Sequence, residues 1–230
     1  VNTPRLTALR GVLIAGAMAL AACQSPAVAA ETAVNAPVPT RQAREGEGLK
    51  TAIFAGGCFW GVEAVFSHVK GVKSAVSGYH GGAAGNATYD QVSTGTTNHA
   101  EAVRVVYDPS VVRYDQLLQI FFSVVADPTL RNRQGPDTGP QYRAALVPLN
   151  REQSTVATAY LTQMSNSDVW SRPIVTRVET ARRFFPAESN HQDFAKRNPN
   201  NPYILRWDAP KVAALRRMFP TFYSDTFQTG

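Results

Sequence analysis

Cysteine is scarce in this 230-residue chain, which has two, Cys23 and Cys58. That excludes a small scaffold stapled by several disulfides, and neither Cys has partners at the finger-like spacings of a structural zinc site. Histidine is also scarce, with four residues; no pair has ligand spacing beside a suitable third group, so no metal is expected. No apolar run approaches the roughly 18 residues that a membrane-spanning helix requires. Runs of like charge are missing as well, and no basic stripe is interleaved with aromatics. The net charge of +6 and the pI near 9.5 therefore do not mark a nucleic-acid binder.

What remains is 44% apolar and 17% charged, enough for one domain of ordinary size with extensions. Residues 1–22 have the layout of a secretory signal: Arg5 and Arg10 precede a short apolar stretch, GVLIAGAMAL, and small residues follow. The end of that stretch, Leu20-Ala21-Ala22-Cys23, resembles a bacterial lipobox, which implies a lipidated Cys23, export to the cell envelope or periplasm, and membrane attachment through acyl chains alone. Without residues 1–22 the chain has 21 basic against 17 acidic residues, a charge of +4. Residues 23–48 are rich in Ala, Pro and small or charged groups with no apolar period, the composition of a disordered tether. A catalytic domain is expected over 49–208 and a helical extension over 209–230.

From residue 49 the pattern alternates. Strands are predicted at 50–55, 72–79, 101–107, 141–148 and 173–179, and helices at 58–70, about 111–125 and 151–165. Gly- and Pro-rich loops fill about 80–97 and 127–140. The order βαββαβ, followed by further elements, predicts an α+β sandwich of the ferredoxin-like, split-βαβ kind with a mainly antiparallel sheet. Such a fold hosts many activities, so function must be read from the site.

The sharpest site signal is GGCFWGVE at 56–63. Two glycines permit a tight turn out of a strand and leave Cys58 at the first turn of a helix, where unpaired amides favour an anion. An ordinary thiol near pKa 8.5 is only ~3% thiolate at pH 7, so a lowered pKa is expected for a nucleophile here. Phe59 and Trp60 are bulky enough to wall a small apolar substrate.

These residues resemble the signature of the A-type methionine sulfoxide reductases, and further motifs carry the likeness over roughly residues 50–205: GYHGG at 78–82, TYDQV at 88–92, HAEAVRVVYDPS at 99–110, DPT at 127–129, NRQGPDTGPQYR at 132–143 and FFPAESNHQDF at 184–194. The resemblance implies reduction of the S epimer of methionine sulfoxide, free or in proteins, with Cys58 as nucleophile and no bound cofactor. Carried over position by position, it makes Glu101 the acid, Tyr89 and Tyr142 hydrogen-bond donors to the sulfoxide oxygen, Phe59 and Trp60 the methyl pocket, and Asp137 a supporting polar residue. His99, His191 and Glu188 lie in matching motifs and are expected to support the site. A Glu that donates a proton near neutral pH must have a raised pKa. His68 is expected late in its helix, as a solvated or C-terminal residue, and His80 in a loop.

Two departures, Asn98 before His99 and Ala126 before Asp127, concern loop geometry. The C-terminal segment 198–230 lacks the resolving Cys that many relatives carry; Pro210 with Val212, Leu215 and Phe219 suggests a terminal helix approached by Tyr203 and Trp207. Turnover should then need an outside thiol, from a thioredoxin-like dithiol or a small thiol, and a monomer is the default. Two other classes stay open on the residues themselves: a cysteine hydrolase or acyltransferase pairing Cys58 with His99 or His191, and a non-enzymatic peptide-binding lipoprotein.

Overall fold

The computed structural model describes Val1 and residues 33–230; the signal segment and Cys23 lie outside the described residues. In chain order the elements begin with β1 (Lys50–Gly56), α1 (Phe59–Ser67), β2 (Val72–His80), α2 (Tyr89–Val92) and β3 (Ala100–Tyr107). Next come α3 (Tyr114–Ile120), a π-helical turn (Phe121–Val125), β4 (Arg133–Gln134), β5 (Asp137–Thr138) and β6 (Ala144–Val147). The chain then forms α4 (Arg151–Ser165), β7 (Arg177–Val178), β8 (Phe184–Pro186), α5 (Phe194–Arg197), a second π-helical turn (Ile204–Asp208) and α6 (Ala209–Met218).

Six strands form one sheet in the order β7-β6-β1-β3-β2-β8, antiparallel at every pairing except β6 with β7. The α+β class and the mainly antiparallel sheet are thus as expected. β3 lies between β1 and β2, the two strands that α1 connects. β1 is central and buried from Ala52 to Gly56, and its alternation serves both faces. Ala52 and Phe54 enter the main core, while Ile53 and Ala55 join a smaller cluster with Ala100, Ala102, Ala145 and Val147. Phe54 stacks on Phe66 of α1 at 4.7 Å between ring centroids and meets Phe121 at 5.3 Å. These contacts fix the helix that carries the Cys58 motif against the sheet.

Several boundaries differ from the sequence reading. The helix at 111–125 begins only at Tyr114, because Arg113 is extended and its N–H donates to Gln116 Oε1 at 2.9 Å. It then widens into the π turn. The strand at 141–148 is shortened by a 3-10 turn, Pro140–Tyr142, that follows Gly139 at φ 145°. Over 173–179 only the two residues of β7 pair, and the extension at 209–230 is helical to Met218.

The disordered tether expected over 23–48 is corrected where it is described. Residues 33–48 form a strap across α3 and α4, with Ala36 and Ala43 buried. Local composition gave no hint of this because the strap's partners lie on the helices. Val34 N–H donates to Ser123 O, Ala43 N–H to Asp115 Oδ1 at 2.9 Å, and Tyr160 Oη to Pro37 O at 2.7 Å. Glu45 accepts from the Tyr114 amide and, in a short bond, from the Tyr107 hydroxyl. No helix among the described residues is long and apolar enough to cross a membrane.

Candidate active site

The turn from β1 into α1 is built for close approach. Gly57 has φ +86°, and a Cβ there would lie 2.6 Å from Gln134 Cβ. A Cβ on Gly56 would lie 2.6 Å from Phe121 Cε2. Both positions therefore require glycine, and the turn delivers Cys58 to the N-cap of α1, partly buried and unbridged.

Glu101 reaches the same spot from β3. Its Oε2 accepts the N–H of Phe59, the first residue of α1, at 2.9 Å. The amide that could have favoured a thiolate is thus taken by a carboxyl group. Burial, then the charges of Glu101, Asp208 and Asp137, push the Cys58 thiol well up, against a lowering influence from the Trp60 amide. The sequence expectation of a lowered thiol pKa is overturned, since desolvation and the acidic groups around it outweigh one helix terminus. Glu101 behaves as expected of an acid: burial raises it to about 8, with Asp137 and Asp208 adding to the rise and the Phe59 amide opposing.

The two tyrosines converge on this pair. Tyr89 opens α2 and its N–H donates to Glu188 Oε1 at 2.9 Å; Tyr142 ends the 3-10 turn. Burial first, then the charge of Glu101, raises both phenols, and Cys58 acts on both. Each hydroxyl is consequently held as a proton-bearing donor. Glu188 also accepts from Tyr79 Oη at 2.8 Å, which makes it a brace between β2 and α2. Its own pKa is raised by burial but ends below the ordinary value, because the Tyr89 and Glu188 amides and Tyr79 donate to it.

Aromatic groups wall the site. Phe59 is buried against Tyr79, Tyr89 and His191. Trp60 stacks on Phe194 at 3.8 Å and meets Tyr203 edge-on at 5.9 Å. The His191 ring lies on Tyr89 at 4.2 Å and beside Trp60 at 5.8 Å, and burial lowers its pKa. His99 is spent elsewhere: Nδ1 accepts from Gly82 N–H at 3.2 Å and Nε2 lies 3.0 Å from Ala83 O. With both ring nitrogens holding a loop, His99 has none left to serve Cys58 as a base, which removes one arm of the acyl-transfer reading.

Residues that the sequence did not mark as catalytic also meet here. Tyr203 was expected only to anchor the C-terminal helix, yet its hydroxyl donates to Asp137 Oδ2 in a short bond. Asp208, buried at the end of the second π turn, sits over α1, so that a Cβ on Gly61 would lie 2.3 Å from its Oδ1. No local motif pointed to either, because both come from the C-terminal segment. His80 is corrected as well, while His68 stands at the helix end where it was expected. His80 is a buried β2 residue, and His68 caps α1, with Nδ1 2.8 Å from Ser224 O. Among the described residues no group of three or more His, Cys, Asp or Glu is placed to hold a metal ion.

A sequence model described as peptide methionine sulfoxide reductase matches residues 50–221. The chain belongs to that family. It is 54% identical over 178 residues to peptide methionine sulfoxide reductase MsrA 2 of Mesorhizobium japonicum, covering 77% of this chain and 91% of that protein. MsrA of Deinococcus radiodurans is 48% identical over 174 residues, 76% of this chain and 84% of its own. Among solved structures, methionine sulfoxide reductase A of Corynebacterium diphtheriae superposes with a TM-score of 0.56 at 31% identity, covering 74% of this chain and 83% of that one. Mxr1 of Saccharomyces cerevisiae in its reduced form gives 0.55 at 28% identity, over 70% and 92%. The family match begins with β1 and runs past α6, so the C-terminal segment that brings Tyr203 and Asp208 lies inside it.

Proposed function

We propose that this member of the family reduces the S epimer of methionine sulfoxide, free or in oxidised proteins, to methionine, and so repairs oxidative damage. The observation that carries the reading is the buried Glu101 carboxyl on the first amide of α1, its pKa pushed up to about 8 by burial, beside the only Cys among the described residues. The Cys58 sulfur attacks the sulfoxide sulfur while Glu101, with Tyr89 and Tyr142, gives a proton and hydrogen bonds to the departing oxygen. The sulfoxide oxygen ends on Cys58 as a sulfenic acid, two electrons pass from the thiol sulfur to the substrate sulfur, and methionine leaves. The thiol proton returns to Glu101, so the step is proton-neutral overall. That return suits a thiol whose pKa is raised, because Glu101 becomes a base at the moment Cys58 must lose its proton.

Phe59 and Trp60 receive the methyl group, and Asp137, held by Tyr203, is the supporting polar residue that can hold an active-site water. Two thiol equivalents from a thioredoxin-like dithiol or a small thiol then convert the sulfenic acid back to thiol, releasing water and a disulfide. No bound cofactor takes part. Export with a lipidated Cys23, attachment to an envelope membrane and a monomeric state complete the proposal; Cys23→Ser should move the protein from the membrane to the soluble fraction. The deciding assay uses stereochemically pure sulfoxides. One methionine per enzyme should form without reductant from the S epimer and none from the R epimer, with all activity lost in Cys58→Ser. Reduction that survives Cys58→Ser would end this reading.

A further inference from the structure

A cleft of about 640 Å³ is lined by Pro140, Arg143 and Ala144, the residues around Tyr142, and does not include Cys58. Its walls hold four arginines, Arg131, Arg143, Arg177 and Arg182, against one glutamate, Glu179. Arg143 is fully committed. It donates to both Glu179 oxygens at 2.7 and 3.2 Å, to Pro140 O at 2.9 Å and to Asn98 O at 3.1 Å. That grip cancels the one carboxylate. The side chains of Arg131, Arg177 and Arg182 make no hydrogen bond or ion pair with the described residues, and all three are exposed. Three uncompensated guanidiniums therefore face one concave surface, the arrangement that focuses a positive field and favours planar, bidentate oxyanions.

His80 gives an independent sign of the same polarity. It is 1% exposed, and it lines the cleft. Its Nε2 accepts the Arg182 amide at 3.0 Å, so the proton of the neutral ring resides on Nδ1. Nδ1 has no hydrogen-bond partner and stands 3.9 Å from Glu179 Oε2. A buried donor left unpaired is costly, and here it adds a further positive dipole behind the cleft wall.

Position connects the cleft to catalysis. Tyr142 lies close enough to Glu101 and Cys58 to feel their charges, while Arg143, the next residue, and Ala144 of β6 line the cleft. A peptide lying extended over this rim advances about 3.3 Å per residue. Residues flanking a bound sulfoxide by a few positions would then reach the arginines. We infer that the Arg131/Arg177/Arg182 cleft is a substrate-recognition site that takes the side-chain carboxylates of an acidic stretch flanking methionine sulfoxide in oxidised proteins. This rests on the reductase reading above and adds a preference to it.

The test compares kcat/KM for three S-sulfoxide peptides that carry Glu, Gln or Lys two to four residues from the sulfoxide, with free methionine sulfoxide as reference. The wild-type chain should favour Glu over Lys by roughly five- to tenfold, and 0.3 M NaCl should shrink the ratio. Arg177→Glu/Arg182→Glu should reverse the preference through KM and leave free sulfoxide reduction unchanged. Inorganic phosphate should compete with the Glu peptide and not with free sulfoxide. Equal kcat/KM for the Glu and Lys peptides in the wild type, or a preference that persists in the double variant, would overturn the inference. So would saturable phosphate binding that leaves the peptide preference unchanged, which would mark the cleft as a site for a free oxyanion. Loss of free sulfoxide reduction in the wild type would instead strike at the reductase reading itself.

Discussion

Glu101 answers two demands that oppose each other. As the proposed acid it must keep a proton in order to give it, yet it sits on an amide at the positive end of α1, where a carboxylate is favoured. Burial wins and holds the group at about 8, above its ordinary 4.5. Between those values the folded chain keeps a proton that the unfolded chain has released, so folding stability falls as pH rises from about 4.5 to about 8. Glu101→Gln is neutral at every pH and escapes this loss. Its stability advantage over wild type should be near zero at pH 4–5 and on the order of 1 kcal/mol or more at pH 9, read from urea midpoints. Its kcat/KM should drop about 10²- to 10⁴-fold. A stability difference that does not change with pH would contradict the raised carboxyl. Asp208 raises the Cys58 thiol through its charge, so Asp208→Asn should bring the midpoint of the alkylation-rate profile to lower pH; an unmoved midpoint would count against that coupling. Cys58, Glu101, Tyr89, Tyr142 and Asp137 could be named as candidates because each lies in a short motif, and the fold gathers them in one place. The sign of the thiol shift was not legible, since it depends first on how deeply the fold buries Cys58, then on Glu101 and on Asp208 from the C-terminal segment.

At the level of elements, the β1–α1 turn does more than any other to place the chemistry. Gly57 combines a left-handed φ of +86° with only 2.6 Å between its hypothetical Cβ and Gln134 Cβ. Gln134 cannot easily yield, because its side chain closes a loop through the Asp127 amide and carbonyl, both at 2.9 Å. Gly57→Ala should therefore cost roughly 1–3 kcal/mol and, by moving Cys58 against Glu101, lower kcat more than it raises KM. A variant with wild-type stability and kcat would show that the turn tolerates a side chain. Long elements were readable from the sequence because periodicity acts within them: α4 begins and ends where its pattern does, capped by Asn150 on Gln153 N–H. Elements of two to four residues, such as β4, β5, β7, β8 and α2, were hidden or overdrawn. Their hydrogen bonds come from partners far along the chain, and two residues carry no period.

Across the whole molecule, the strap at 33–48 shows how a segment of poor local character becomes structure through what it satisfies. Glu45 pairs with the Tyr114 amide and the Tyr107 hydroxyl, the Asp115 side chain takes the Ala43 amide, and Tyr160 donates to Pro37 O. Tyr107, Tyr114, Asp115 and Tyr160 are all buried. A chain starting at Leu49 would keep those groups in place and remove the strap's share of their partners, which strands the Tyr114 amide and the Tyr160 hydroxyl, while Asp115 keeps Arg113 and Tyr107 keeps the bond from Gln153. Each polar group stranded this way costs about 1–3 kcal/mol, less where water can reach it. The active site draws nothing from the strap, since its parts come from β1, α1, α2, β3, the 139–143 turn and the C-terminal segment. Truncation before Leu49 should therefore lower the urea midpoint by the equivalent of about 2–5 kcal/mol while leaving kcat/KM at low temperature within about twofold. Adding Glu45→Gln to the full strap should reproduce part of the loss, because an amide accepts the same two bonds less strongly than a carboxylate. If truncation left the midpoint unchanged, the strap would contribute no net stability, and its only remaining role would be to connect the domain to whatever precedes it.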